Sequence, residues 1–321
     1  MARALAYLML FAALAGPLCA EDLAQSNRIP RIGYLATHPT WTRYFHAAMK
    51  DLGYIEGKNL IVVWRLSDEK AEHVASTAQE LVGLGVDLIF VDSTPGALAA
   101  KSATKQIPIV MAGLVDPVGA GLVASLAKPG GNVTGTTLTT RDVTAKRVEL
   151  LKEAVPTLAE LVIMWNPTHP HGPTQAKDSE AAAARVGLKA HLAPVRTAQD
   201  VDAAFATLAK RSCGLLITDD TLLVNQIDRI ASLAIERRLP GISGFRTFAE
   251  GGGLMSYGPS LAEQFQGAAL YVDRIVKGAQ PADLPVKQPT KFDLLVNLRT
   301  ARALKLTVPE SILLRAEEVI Q

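Results

Sequence analysis

The chain has 321 residues, with 33 lysines and arginines against 31 aspartates and glutamates, a formal net charge of +2. That balance leaves no electrostatic footprint for nucleic acid, and a 49% hydrophobic content over this length fills two cores. Two cysteines, Cys19 and Cys213, exclude a disulfide framework.

Residues 1–20 have the layout of an export signal: Arg3, an apolar run from Ala4 to Gly16, then Ala20 before the acidic Glu21 and Asp22. The run is too short for the about 20 apolar residues that span a bilayer. Leu18 before Cys19 is not the small residue a lipid-anchor site requires. Cleavage after Ala20 leaves Cys213 alone, so stability must come from burial.

From Arg28 short apolar strands alternate with amphipathic helices. Strands are predicted at 31–35, 59–65, 86–91 and 107–112, with helices at 41–52, 67–84, 95–104 and 118–127 between and after them. The glycine-rich residues 130–135 read as a break, after which the rhythm restarts. Helices are predicted at 143–154, 174–186, 198–210, 222–236 and 260–276, with strands at 161–165, 189–194, 214–218, 241–244 and 253–257. This rhythm specifies an α/β fold of two doubly wound parallel-sheet lobes with a hinge. Residues 28–141 with 259–287 form one lobe, and 142–258 with 288–321 the other. Ligands in such sheets sit beyond the carboxyl ends of the strands, so facing lobes enclose a cleft.

The stretches Asp116-Pro117-Val118-Gly119-Ala120-Gly121-Leu122-Val123 and Lys128-Pro129-Gly130-Gly131-Asn132-Val133-Thr134-Gly135 resemble the bacterial ABC-transporter substrate-binding proteins related to the tryptophan- and tyrosine-binding group. Gly253-Leu254-Met255-Ser256-Tyr257-Gly258 and residues 293–309 extend the resemblance, which spans about residues 28–320. It implies a periplasmic-binding-protein fold with several crossovers between lobes, a soluble periplasmic location, and delivery of a small molecule to an ABC permease in the inner membrane. It does not fix the ligand.

Strand-end loops nominate the binding residues. Thr37 and Trp41 follow the first strand, Ser93 and Thr94 the third, and Asp116 the fourth, where it also suits an Asx turn. Asn166, Asp219, Thr221, Phe245 and Tyr257 come from the second lobe, with either Asp219 or Asp220 capping the helix that follows. Trp165 and Arg246 are further wall candidates. These side chains fit an amino acid or an aromatic or organic acid better than a sugar phosphate.

Gly119-Ala120-Gly121-Leu122-Val123-Ala124 formally fits the dinucleotide glycine pattern, but it does not begin at a strand end. His38, His169 and His171 fall near the cleft from both lobes, where they could hold a metal, but they read first as polar loop residues beside prolines. No nucleophile has a base partner at recognisable spacing, so the expectation is a monomeric binding protein with no cofactor, no metal and no catalysis. A ligand-sensing partner of a membrane receptor and an enzyme in the same cleft are the alternatives.

Overall fold

The computed structural model describes residues 28–321 apart from 68–70, 139–142 and 209–212. The export segment expected over residues 1–20 lies outside the described residues.

The first sheet contains β1 (Arg31–Ala36), β2 (Ile61–Leu66), β3 (Leu88–Val91), β4 (Ile109–Leu114) and β5 (Val133–Thr137). All are parallel, in the order β2-β1-β3-β4-β5. Helices α1 (Thr42–Asp51), α2 (Ala71–Gly83) and α3 (Thr94–Ala103) connect the first four. Apolar clusters cover both faces, one around Tyr34, Phe45 and Phe90, the other around Leu35, Leu81 and Val91. β3 and β4 are buried along their whole length, which is why they read as unbroken apolar runs.

Two expectations fail here. No helix forms over residues 118–127: the backbone folds as turns, with Ala120 N–H donating to Asp116 O and Leu122 N–H to Pro117 O. Gly119 and Gly121 weaken a helix by about 1 kcal/mol each, and Gly121 takes a left-handed φ of 69°. The supposed glycine-rich break contains β5, whose sequence Val-Thr-Gly-Thr-Thr is fully buried. Its hydroxyls are satisfied by backbone: Thr134 Oγ1 donates to Leu284 O at 2.6 Å and Thr137 Oγ1 to Leu114 O at 2.6 Å. Thr136 Oγ1 accepts from Gly113 N–H at 2.8 Å.

The chain then enters a second sheet. Its elements are α4 (Val143–Ala154), β6 (Glu160–Trp165), α5 (Gly172–Arg185), β7 (Lys189–Pro194), α6 (Ala198–Leu208) and β8 (Gly214–Ile217). They continue as α7 (Thr221–Asn225), α8 (Ile227–Glu236), β9 (Gly241–Ser243), α9 (Arg246–Glu250) and β10 (Met255–Pro259). The helix expected over 222–236 is broken at Gln226. From Ser260 the chain returns to the first sheet, where α10 (Leu261–Val276) packs on α1, β4 and β5. Lys287 closes this return, its N–H donating to Gly135 O at 2.9 Å while its carbonyl accepts from Thr137 N–H at 3.0 Å.

A third passage leads back to β11 (Phe292–Asn297), α11 (Leu298–Ala303), α12 (Glu310–Leu313) and β12 (Glu318–Ile320). The second sheet runs β12-β11-β10-β9-β8-β6-β7. β11 is antiparallel to β10, an exception to the expected parallel sheet that arises because the chain re-enters from the hinge side. Pro259 pairs with Phe292 in this sheet, so the return passage begins at Ser260 and not at Pro259.

Gly135 fixes how closely β5 approaches β4. Its φ is 135°, and a Cβ there would lie 2.0 Å from Met111 O and 2.6 Å from Met111 N. Both neighbours are backbone in the middle of the sheet. Gly135→Ala is therefore expected to lower stability by about 3 kcal/mol or more, whereas Gly131→Ala, with open space around it, should change it little. Urea unfolding of both variants checks this.

Candidate functional site

The carboxyl ends of both sheets converge on a chamber that is open to solvent on one side. The first sheet contributes Trp41, the stretch Asp92-Ser93-Thr94, Gly113-Leu114-Val115 and Leu138. The second contributes His169, Asp219-Asp220-Thr221 and Phe245. Each group follows a strand, as the topology of parallel sheets requires.

On the first side, Asp92 organises the wall. Its Oδ1 accepts from Thr37 N–H and Thr37 Oγ1, both at 2.9 Å, and its Oδ2 accepts from Tyr34 Oη at 3.0 Å. Thr37 is thus buried behind the chamber as a support and does not line it. Burial pushes the Asp92 carboxyl up to about 6, against the pull of these three hydrogen bonds. Ser93 lines the chamber and caps α3, its Oγ accepting from Gly96 N–H at 3.1 Å. With Thr94 and the first amides of α3 it forms a polar corner suited to an anionic group.

The second side is built around a residue the sequence reading missed. Arg147, in α4, is fully buried, with Nη1 2.9 Å from Asp219 Oδ2 and Nε donating to Tyr257 O at 2.7 Å. Gln175 clamps the Asp219 backbone, Nε2 donating to its carbonyl and Oε1 accepting its N–H, each at 2.9 Å. Asp219 Oδ1 and Arg147 Nη2 have no hydrogen-bond partner among the described residues. Both lie against Gly244, where a Cβ would be 2.1 Å from the one and 2.2 Å from the other.

Asp220 caps α7, with Oδ1 accepting from Leu223 N–H at 3.1 Å. Its Oδ2 accepts from Asn166 Nδ2 at 3.1 Å. Asn166 is thereby turned inward and does not line the chamber. Burial raises the Asp220 pKa and lowers that of His169, which leaves both with a reduced preference for charge.

Aromatic rings close one rim. Trp41 and Phe245 face each other across the two halves with centroids 5.7 Å apart, and His38 stacks on Trp41 at 4.8 Å. Trp41, Ser93, Thr94, Asp219, Thr221 and Phe245 are therefore brought together, while Thr37, Asn166, Asp116 and Tyr257 stand outside the lining. Asp116 turns to His171, its Oδ2 3.1 Å from Nδ1. Tyr257 packs in the second core and stacks on Phe292 at 5.8 Å, because the alternation of β10 points it away from the chamber. Trp165 likewise stays out of the lining, and Arg246 pairs with Glu250 and Glu318 instead of facing a ligand. No cluster of metal-ligating side chains occurs among the described residues. Arg147 carried only a weak sequence signal, one arginine in a helix with Val148 and Leu151 on its buried side.

Asp92 generates a pH prediction. Its folded pKa lies above the about 3.9 of an unfolded chain, so between the two values the folded state holds more protons. Stability contributed by Asp92 is present at about pH 4 and is lost as pH rises through about 6, by about 2–3 kcal/mol. Asp92→Asn should lack this decline. Urea unfolding between pH 4 and 7 checks it: the two curves should converge or cross as pH rises, and parallel curves would contradict the assignment.

The comparisons with known proteins agree with this architecture. A tyrosine-binding protein of Clostridioides difficile is 29% identical over 278 residues, covering 85% of this chain and 79% of the relative. The ABC domain in complex with L-Trp from Streptococcus pneumoniae is 26% identical with a TM-score of 0.85, covering 91% of this chain and 100% of that one. A ligand-free, open substrate-binding protein with adhesive properties from Clostridium difficile is 27% identical with the same coverages and a TM-score of 0.66. The ABC transporter substrate binding protein family matches residues 40–320. This chain, with its two α/β sheets joined by three passages around a shared chamber, belongs to that family.

Proposed function

We propose that the protein captures an L-amino acid, one with an apolar or aromatic side chain, between two closing lobes and delivers it to an ABC permease. The carrying observation is Asp219, a chamber-lining aspartate whose Oδ1 is buried beside Gly244 and has no hydrogen-bond partner among the described residues. A buried acceptor of this kind needs a donor, and an ammonium brings three. Across the chamber the amide end of α3 with Ser93 and Thr94 meets the carboxylate. Trp41, Phe245, Leu114 and Leu138 receive the side chain.

The relatives named for tyrosine binding and for a complex with L-Trp support this class. At nearly equal identity the chain superposes better on the L-Trp complex than on the open, ligand-free protein, 0.85 against 0.66, which supports a closing motion about the three passages. In this reading residues 28–141 with Ser260–Lys287 move against the remainder. The mature protein is a soluble periplasmic monomer, exported by its first twenty residues, and carries out no chemistry on its ligand.

A thermal-shift screen of the L-amino acids tests the reading. A ligand at 100 times its Kd stabilises by about 2.7 kcal/mol, so tyrosine, tryptophan or a similar residue should raise the Tm by several degrees. Asp219→Asn should then weaken binding about ten- to 100-fold by calorimetry. A shift from sugars alone, or an Asp219→Asn protein that folds and binds like wild type, would overturn the assignment.

A further inference from the structure

A contact between strand-end loops of the two sheets lies outside the chamber lining. Asp116 follows β4 in the first sheet, His171 follows β6 in the second, and Oδ2 of the one lies 3.1 Å from Nδ1 of the other. Each side is prepared by its own loop. Asp116 has a φ of 43° and its Oδ1 accepts from Gly119 N–H at 2.9 Å, which fixes the carboxylate over its own turn against Gly119. His171 N–H donates to His169 Nδ1 at 3.2 Å, and Gly172 N–H donates to His169 O at 2.9 Å. Gly172 packs so closely that a Cβ would lie 2.0 Å from Asn166 O, leaving the 166–172 loop little freedom.

We infer that Asp116 and His171 are a positioning pair for closure: they latch the two halves across the cleft and hold the His169 loop against the chamber. His169 is buried and lines the chamber. Accepting a backbone N–H at Nδ1 leaves the proton of the neutral ring on Nε2, so the latch reaches the chamber through two adjoining histidines. Both partners are partly exposed, with side chains 29% and 18% accessible, and they bond only when the two sheets approach. Losing the pair should therefore open the protein without unfolding either half. This inference rests on the closing motion proposed above, but not on which amino acid is bound.

The test uses single-molecule FRET between dyes at Gln106→Cys and Glu180→Cys, both exposed positions, one on each half, with the buried Cys213 replaced by Ala. The closed-to-open ratio is measured without ligand and during a titration with L-tyrosine, for Asp116→Asn, His171→Asn and the double variant. Each single variant should lower the ratio about two- to fivefold. The double variant should lower it no further than either single one. Release of L-tyrosine should quicken by the same factor, with the association rate and the ligand-free Tm unchanged. If L-tyrosine does not bind the wild type, the ligand-free ratio still decides the latch. Unchanged ratios in both single variants, additive losses in the double variant, or a fall in ligand-free Tm would overturn it.

Discussion

One buried guanidinium ties the hinge to the chamber. Arg147 sits in the first helix after the chain leaves β5, grips the carbonyl of Tyr257 in the last full strand before the chain returns, and pairs with Asp219 in the chamber wall. Removing such a charge from water costs several kcal/mol unless its partners are in place. The position of Asp219 and the path of β10 are therefore set together. The glycines around it follow from the same constraint. A Cβ at Gly244 would strike both members of the pair, and one at Gly258 would lie 2.0 Å from Gly244 O. Loop, strand and ion pair approach to distances that only glycine permits.

The chamber divides its polar groups between support and contact. Thr37 and Tyr34 both donate to Asp92 and stiffen the first wall. Asp220 and Asn166 do the same in the second, while Gln175 locks the backbone of Asp219 by two hydrogen bonds. What remains along the lining is Asp219, the amide end of α3 and the aromatic side chains of Trp41 and Phe245. This is how a rigid shell presents a few oriented polar groups in an otherwise apolar pocket.

Most strands and the location of the chamber were legible in the sequence, because buried parallel strands are short apolar runs and their ends must converge. Ser93 and Asp219 could be named from position alone. What escaped was decided by tertiary structure. β5 is a buried strand of three threonines, one valine and one glycine, and its hydroxyls find partners on β4, α10 and the segment near Leu284. Arg147 looks like a surface residue until Asp219, 72 positions away, is folded against it. Asn166 follows a strand as expected yet turns to Asp220, and Tyr257 lies inside β10 instead of ending it and points into the core. Strand-end position selects a neighbourhood, and side-chain direction within it depends on partners distant in sequence. The antiparallel β11 escaped for a related reason: strand direction follows from which side of the hinge the chain re-enters.

The central claim is that an amino acid is held between Asp219 and the start of α3, with both lobes closed on it. A crystal structure of the protein grown with L-tyrosine tests it most directly. The ammonium is expected within about 3.2 Å of Asp219, the carboxylate at the amides of α3, and the ring against Trp41 and Phe245. A ligand bound outside this chamber, or one inside it whose ammonium avoids Asp219, would overturn the proposed binding mode.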